Sequence, residues 1–315
     1  MIFPSVTGPV DVDTVRLADA HAHVWIEPPD GIAPEVRLEL NNRDTIQAEL
    51  NDFRAAGGTT IIDCQPGGCG RDANQLATLA RATGVQITAT TGFHQQKYYP
   101  PDHWLWTASS EKAAAYFVEE LTAGMRETGG TIRATTIKIG YEGIIDGQTR
   151  ALMEAAAAAS RQTGALILFH TERGENVEAL IPFFADHGVA PDRLYMCHVD
   201  KRPNAGLHRE LAQAGVLLGY DTFARPKYDP DRGAWMLVKT LVTDGLGTQI
   251  AIGLDMELAS MWQQYGGQPG MCFLPDQVVP RLRAEGIPAA TIHQLTAANI
   301  ARNLVWRTNE TKESS

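Results

Sequence analysis

Cysteine is scarce in this chain of 315 residues, which has only Cys64, Cys69, Cys197 and Cys272. Four are too few for a disulfide framework at this size, and Cys64 and Cys69 are too widely spaced for a C-x-x-C pair. We read them as ordinary thiols, and a reducing, cytoplasmic location follows as the default. Long apolar runs are also missing. No stretch approaches the ~18 residues of a membrane span. The opening "MIFPSVTGPVDVDTV" has neither the basic segment nor the apolar run of a signal peptide. Basic charge is in deficit: 27 Lys and Arg against 37 Asp and Glu leave a formal net charge of −10. That balance argues against a nucleic-acid or membrane partner, since both need a basic face. The glycine-rich "QPGGCGRD" lacks the G-x-x-x-x-G-K-[ST] pattern, so it reads as a strand-to-helix turn and not as a phosphate cradle. No low-complexity linker divides the chain. What remains is an ordinary globular composition, 44% hydrophobic and 20% charged, in a chain long enough for a sizeable core.

Short apolar runs alternate with helix-like segments. The runs are "VRLADAHAH", "GTTIIDC", "VQITATTGF", "RATTIKIG", "ALILFH", "RLYMCH", "GVLLGYD" and "QIAIGLD". Between them lie amphipathic patterns such as "TIQAELNDFRAAG", "NQLATLARATG" and "ALMEAAAAASRQTG". Several of these end in Gly, a frequent helix C-cap that readies the turn into the next strand. Strands alternating with helices mean a parallel sheet. Eight repeats in 315 residues average about 39 each, which fits a (β/α)₈ barrel better than an open doubly wound sheet. The expectation is therefore an α/β TIM barrel, one domain over residues 1–307, followed by a polar tail at 308–315.

In such a barrel, catalytic groups sit at the C-terminal ends of strands. The first run ends in His21 and His23, which share a face at spacing i, i+2. The fourth carries Lys138, the fifth ends in His170, the sixth in His198 and the eighth in Asp255. Each has an ordinary reading. A lone strand-end histidine is often a hydrogen-bonded loop group, a strand-end Asp often caps a helix, and a lysine can extend its head to the rim. In a closed barrel, however, these ends converge on one mouth, and four imidazoles with a carboxylate around one mouth form a metal-ligand set.

The order His-x-His, Lys, His, His, Asp on strands 1, 4, 5, 6 and 8 resembles the binuclear centre of the amidohydrolase superfamily, and more narrowly its phosphotriesterase family. Supporting stretches are "ADAHAHVW", "TTGFHQQKYYP", "IKIGYEGI", "FHTERG", "GVAPDRLYMCHVD" and "IAIGLDM", which span most of the chain. The resemblance implies that His21, His23 and Asp255 hold the more buried of two divalent ions and that His170 and His198 hold the more exposed one. It implies that Lys138 is carboxylated by CO₂, its carbamate bridging both. A neutral amine is required for that chemistry, and a buried lysine near cations shifts its pKa readily. Asp255 and Lys138 are then the catalytic groups, with Asp255 taking up the proton of the attacking hydroxide. Zinc suits such ligands, with Mn, Co or Fe also compatible.

The resemblance points to a hydrolase of a small-molecule lactone or carboxylic ester, sugar-like or otherwise. A phosphotriester or amide hydrolase on the same site is the alternative, and a non-catalytic metal-binding or ligand-binding barrel is a second. Family members are commonly dimers, so a homodimer is expected. Substrate loops follow strands 3, 7 and 8. Tyr98 and Tyr99 are candidates for the pocket wall, and Arg225, Lys227 and Tyr228 for binding a polar or anionic group, with plain loop packing as the competing account. In the related sugar-lactonase branch, the strand-8 loop carries an Arg and a Tyr where this chain has Leu258 and Met261. That departure weakens a phosphorylated substrate and points to a neutral or apolar group near Met256, Met261 and Trp262. Glu172, two residues after His170, is a candidate to orient a ligand.

Overall fold

The computed structural model describes residues 1–307; the expected polar tail at 308–315 lies outside the described residues. All eight expected runs contain strands, and the chain adds an N-terminal hairpin, β1 (Ile2–Ser5) and β2 (Gly8–Asp11), paired antiparallel. The barrel strands are β3 (Ala18–Ala22), β4 (Thr60–Asp63), β5 (Gln86–Thr88), β6 (Thr90–Phe93), β7 (Thr136–Tyr141), β8 (Ile167–Thr171), β9 (Leu194–Cys197), β10 (Leu217–Tyr220) and β11 (Ile250–Ile252). All are parallel to their neighbours. β5 and β6 are two halves of the third expected strand, broken at Ala89. The first half pairs with β4 and the second with β7, and the Ala89 carbonyl accepts from Thr135 N at 2.7 Å.

Helices α1 (Arg43–Ala55), α2 (Ala73–Thr83), α3 (Ser110–Thr122), α4 (Gly147–Thr163), α5 (Leu180–Asp186), α6 (Ala205–Gln213) and α7 (Met236–Thr243) follow successive strands. Four of these starts are side-chain capped: Asn42 accepts from Thr45 N, Asp72 from Asn74 N and Gln75 N, Ser109 from Lys112 N, and Asn204 from Leu207 N. Gly84 and Gly164 close α2 and α4 in the left-handed conformation, as their place in the sequence led us to expect.

Strand side chains alternate between two packed layers. Ile62, Cys64, Leu166, Leu168, Tyr195 and Cys197 belong to an inner cluster. Ile61, Ile137, Ile139, Ile167, Phe169 and Met196 pack outward with the helices. Period-2 alternation therefore fills the barrel and buries the helices with the same strands. On β3 the phase changes. Ala18 and Ala20 pack inward and Ala22 outward, across a register shift between Asp19 and Ala22.

The seam between β11 and β3 is closed differently from the rest of the barrel. Asp255 N donates to the His21 carbonyl at 2.8 Å. The Asp19 carboxylate accepts from both His21 N and Leu254 N at 3.1 Å. Gly253 lies in this seam, and a Cβ there would stand 2.7 Å from His21 N and 3.0 Å from Asp19 Oδ1. Gly253→Ala must part the two strands, and overpacking of this kind costs roughly 1–3 kcal/mol. A urea titration is expected to show a lower unfolding midpoint for the variant; an unchanged midpoint would mean the seam has slack that this packing denies.

Candidate metal centre

His21 lies within β3 and His23 one residue beyond its end; Lys138 lies within β7 and His170 within β8. His198 and Asp255 follow β9 and β11, both with left-handed backbone, φ 63° and 53°. Only four non-glycine residues among those described have positive φ, and two of them are here. Backbone strain of about 1–3 kcal/mol per residue persists where the surroundings over-determine it, and in this case it turns each side chain back over the mouth.

Each of the four strand-end imidazoles has one nitrogen against an oxygen. His23 Nδ1 donates to Gln65 Oε1 at 2.8 Å, and Gln65 is itself oriented by donating its amide to the Cys69 carbonyl. His198 Nδ1 donates to Asp221 Oδ1 at 2.8 Å. His170 Nε2 lies 3.2 Å from Glu172 Oε2, which also accepts from Gln95 Nε2 at 2.8 Å. His21 Nδ1 lies 3.3 Å from Asp221 Oδ2. A neutral imidazole carries one proton, so the opposite nitrogens are bare, and these turn toward one another and toward Asp255. His21 Nε2 is 3.7 Å and His23 Nε2 3.9 Å from Asp255 Oδ1, and Lys138 Nζ is 3.5 Å from His21 Nε2. His198 Nε2 faces His170 Nδ1 at 3.0 Å. Two bare nitrogens at that separation share no proton and repel unless a cation lies between them. This donor set fits a divalent ion, and His21, His23 and Asp255 alone offer three ligand atoms within 4.8 Å of one another.

Electrostatics agree with neutral imidazoles. Burial pushes the His170 pKa down to about 4 and that of His198 to about 3, so their lone pairs stay available where a free histidine would be charged. Burial alone would raise Asp255, but His198 and Arg225 outweigh it and hold the carboxyl well below its ordinary range. Burial also keeps the thiols of Cys64, Cys69 and Cys197 protonated, and all four cysteines are free.

The sequence reading overlooked Asp221, a fully buried group just past β10 that serves two histidines at once. Its signal was present, since "GVLLGYD" ends in an acid as "QIAIGLD" does. Glu172, expected to orient a ligand, lies with Oε2 3.2 Å from His170 Nε2. A cavity of about 180 Å³ opens above the centre. Tyr98, Lys227 and Tyr228 border it, as does Lys201, which went unnoticed in the sequence. Two expectations need correction. Tyr99 is buried at 3% exposure behind the wall, its hydroxyl accepting from His94 N and its ring against Trp106. Arg225 borders the cavity, but its guanidinium is bound to Glu257 and to Asp255, 3.1 Å from Asp255 Oδ2. Met256 and Trp262 are fully buried and Met261 nearly so. The apolar wall comes instead from the loop after β3, through Ile26, Pro28, Ile32, Val36 and Leu38.

A sequence model described as "Phosphotriesterase family" matches residues 1–304. The chain is 27% identical over 321 residues to the phospho-furanose lactonase of Mycoplasmopsis synoviae (strain 53), covering 96% of this chain and 91% of that protein. It is 27% identical over 303 residues to the N-acetyltaurine hydrolase of Homo sapiens, covering 90% and 83%. The crystal structure of an amidohydrolase from Mycoplasma synoviae superposes with a TM-score of 0.90 at 27% identity, covering 100% of this chain and 95% of that one.

Asn at position 221 cannot accept from two imidazoles without turning its NH₂ toward one of them. Asp221→Asn is therefore expected to lower zinc affinity roughly 10–100-fold, read by competition with a chromogenic chelator. Unchanged affinity would show that the histidines keep their orientation without the carboxylate.

Proposed function

The chain belongs to the phosphotriesterase family, and from that premise we propose that it is a metal-dependent hydrolase of lactones or carboxylic esters with two divalent ions. The observation that carries this reading is the set of four imidazoles, each with its far nitrogen on an oxygen and its bare nitrogen turned inward. His21, His23 and Asp255 would hold one ion, and His170 and His198 the other. Zinc suits these donors, with Mn, Co or Fe compatible. The ions when bound supply an activated water and an electrophilic partner for the carbonyl oxygen.

The protein's own groups do the rest. Lys138 is fully buried and makes no ion pair among the described residues. In this reading its neutral amine would take up CO₂ as a carbamate, with an N–C bond formed and one N–H proton lost, and that anion would join His21, His23, His170, His198 and Asp255 in holding the ions. Asp255 takes the proton of the attacking water and passes it to the leaving oxygen, so that lactone and water become a hydroxy acid. Arg225 beside Asp255 Oδ2 holds that carboxylate in place. Tyr98, Lys227 and Tyr228 line the substrate's path, and the apolar wall of Ile26, Ile32, Val36 and Leu38 favours a substrate with an aliphatic face. Four free cysteines accord with a reducing compartment, and no helix among the described residues is long and apolar enough to cross a membrane. An amide hydrolase is the second reading, favoured by the similarity to the N-acetyltaurine hydrolase.

The protein purified in Zn or Mn is expected to carry about two ions per chain and to turn over a lactone faster than an aryl ester, amide or phosphotriester. Faster amide turnover would favour the second reading, and metal with no turnover would mark a binding protein. Fewer than about one ion per chain after reconstitution with bicarbonate would remove the basis of the centre. Separately, Lys138→Ala should lose most activity and regain part of it when a short carboxylic acid is added. Full activity without the acid would contradict the carbamate.

A further inference from the structure

A fifth histidine stands at the mouth, and its hydrogen bonding is opposite to that of the other four. His94 follows β6, borders the cavity and is 7% exposed. Its ring lies 4.7 Å, centroid to centroid, from both Tyr98 and His170. Where the four strand-end imidazoles face oxygens, His94 Nδ1 faces a donor: the backbone N–H of Gln95, at 2.7 Å. A backbone amide keeps its proton, so Nδ1 is the bare nitrogen and the ring's single proton sits on Nε2. That atom has no partner among the described residues. The same tautomer excludes His94 from the ligand set, because coordination through Nε2 would move the proton to Nδ1 and set it against Gln95 N–H.

The placement is built into the chain. Gly92, φ +96°, allows β6 to run against β7, since a Cβ there would meet the Lys138 carbonyl at 2.1 Å. Tyr99 Oη accepts from His94 N at 2.9 Å and anchors the next turn. His94 is thereby carried past Lys138 to the rim beside His170.

We propose that His94 is a catalytic residue whose Nε2–H donates a hydrogen bond to the leaving oxygen of the substrate as the acyl C–O bond breaks. This rests on the ester-hydrolase reading above. In the step, water oxygen bonds to the acyl carbon, the C–O electron pair moves to the leaving oxygen, and the water proton reaches that oxygen through Asp255. His94 keeps its own proton throughout. A neutral donor suits the departing alkoxide, because it stabilises developing charge without adding a third cation beside two divalent ions.

The test uses the zinc-loaded enzyme, with His94→Phe and His94→Gln, on an alkyl ester or lactone and on a 4-nitrophenyl ester of the same acid. Loss of one such donor costs on the order of 10²-fold. His94→Phe should show that loss with the alkoxide leaving group and less than about tenfold with nitrophenolate, which needs little stabilisation. Metal content should be unchanged, and Gln, which retains an N–H, should recover part of the loss and serves alone if the Phe variant does not fold. Equal losses on both substrates, or loss of metal from either variant, would overturn the role. Histidine ¹⁵N NMR of the loaded wild type supplies an independent readout: a proton on Nε2 of His94 supports the donor, and one on Nδ1 refutes it. If the wild type cleaves neither ester, the hydrolase reading falls and this role with it; if it cleaves both and the variant losses are equal, only His94 is reassigned.

Discussion

The mouth of this barrel depends on one buried carboxylate set between two of its histidines. Asp221 sits wholly buried between His21 and His198, accepting from His198 Nδ1 at 2.8 Å and facing His21 Nδ1 at 3.3 Å. In doing so it selects their tautomers and turns their Nε2 lone pairs to the same side. Gln65 and Glu172 do the equivalent for His23 and His170. An imidazole left free could place its proton on either nitrogen and would coordinate only part of the time. Fixing the far nitrogen removes that choice before any ion arrives, which is the general function of groups behind metal ligands. Asp221 lies against both rings, so His21 and His198 are oriented together.

The rest of the architecture keeps that arrangement dry and aligned. The inner layer of the barrel, with Ile62, Leu168, Tyr195 and Cys197, fills the space beneath the site. Its low dielectric keeps His170 and His198 neutral and the thiols protonated. Above the centre the cavity is two-sided, aliphatic on the loop after β3 and cationic at Lys201 and Lys227. Lys201 and Lys227 both lie over the ring of Tyr228, at 5.2 and 4.9 Å from its centroid. The acids Glu172, Asp255 and Glu257 border the same cavity, so charges of both signs meet around its opening.

Eight strands and the helices between them were legible because burial on both faces of a parallel strand writes a continuous apolar run, and because glycines mark where helices turn back. The break at Ala89 was not visible, since "VQITATTGF" is apolar and β-branched on both sides of it. The N-terminal hairpin was also missed, its strands being only four residues each. Among the pocket residues, Tyr98 and Tyr99 are adjacent in sequence and chemically alike, yet one borders the cavity and the other supports the backbone of His94. Arg225 looked like a free cation until Glu257 and Asp255 were found against it.

The sequence by itself determined which groups could meet at one mouth. Residue type at a strand end, repeated in the order of a parallel barrel, leaves little freedom in where His21, His23, Lys138, His170, His198 and Asp255 can lie. Tertiary structure alone decided what each group does there. Whether an imidazole presents a lone pair or a proton depends on the atom opposite its far nitrogen. That atom comes from the segment after another strand for His21, His23 and His198, from a residue two further on for His170, and from the next peptide for His94. No one-dimensional pattern records whether that neighbour donates or accepts, because hydrogen-bond polarity is a property of contacts in space.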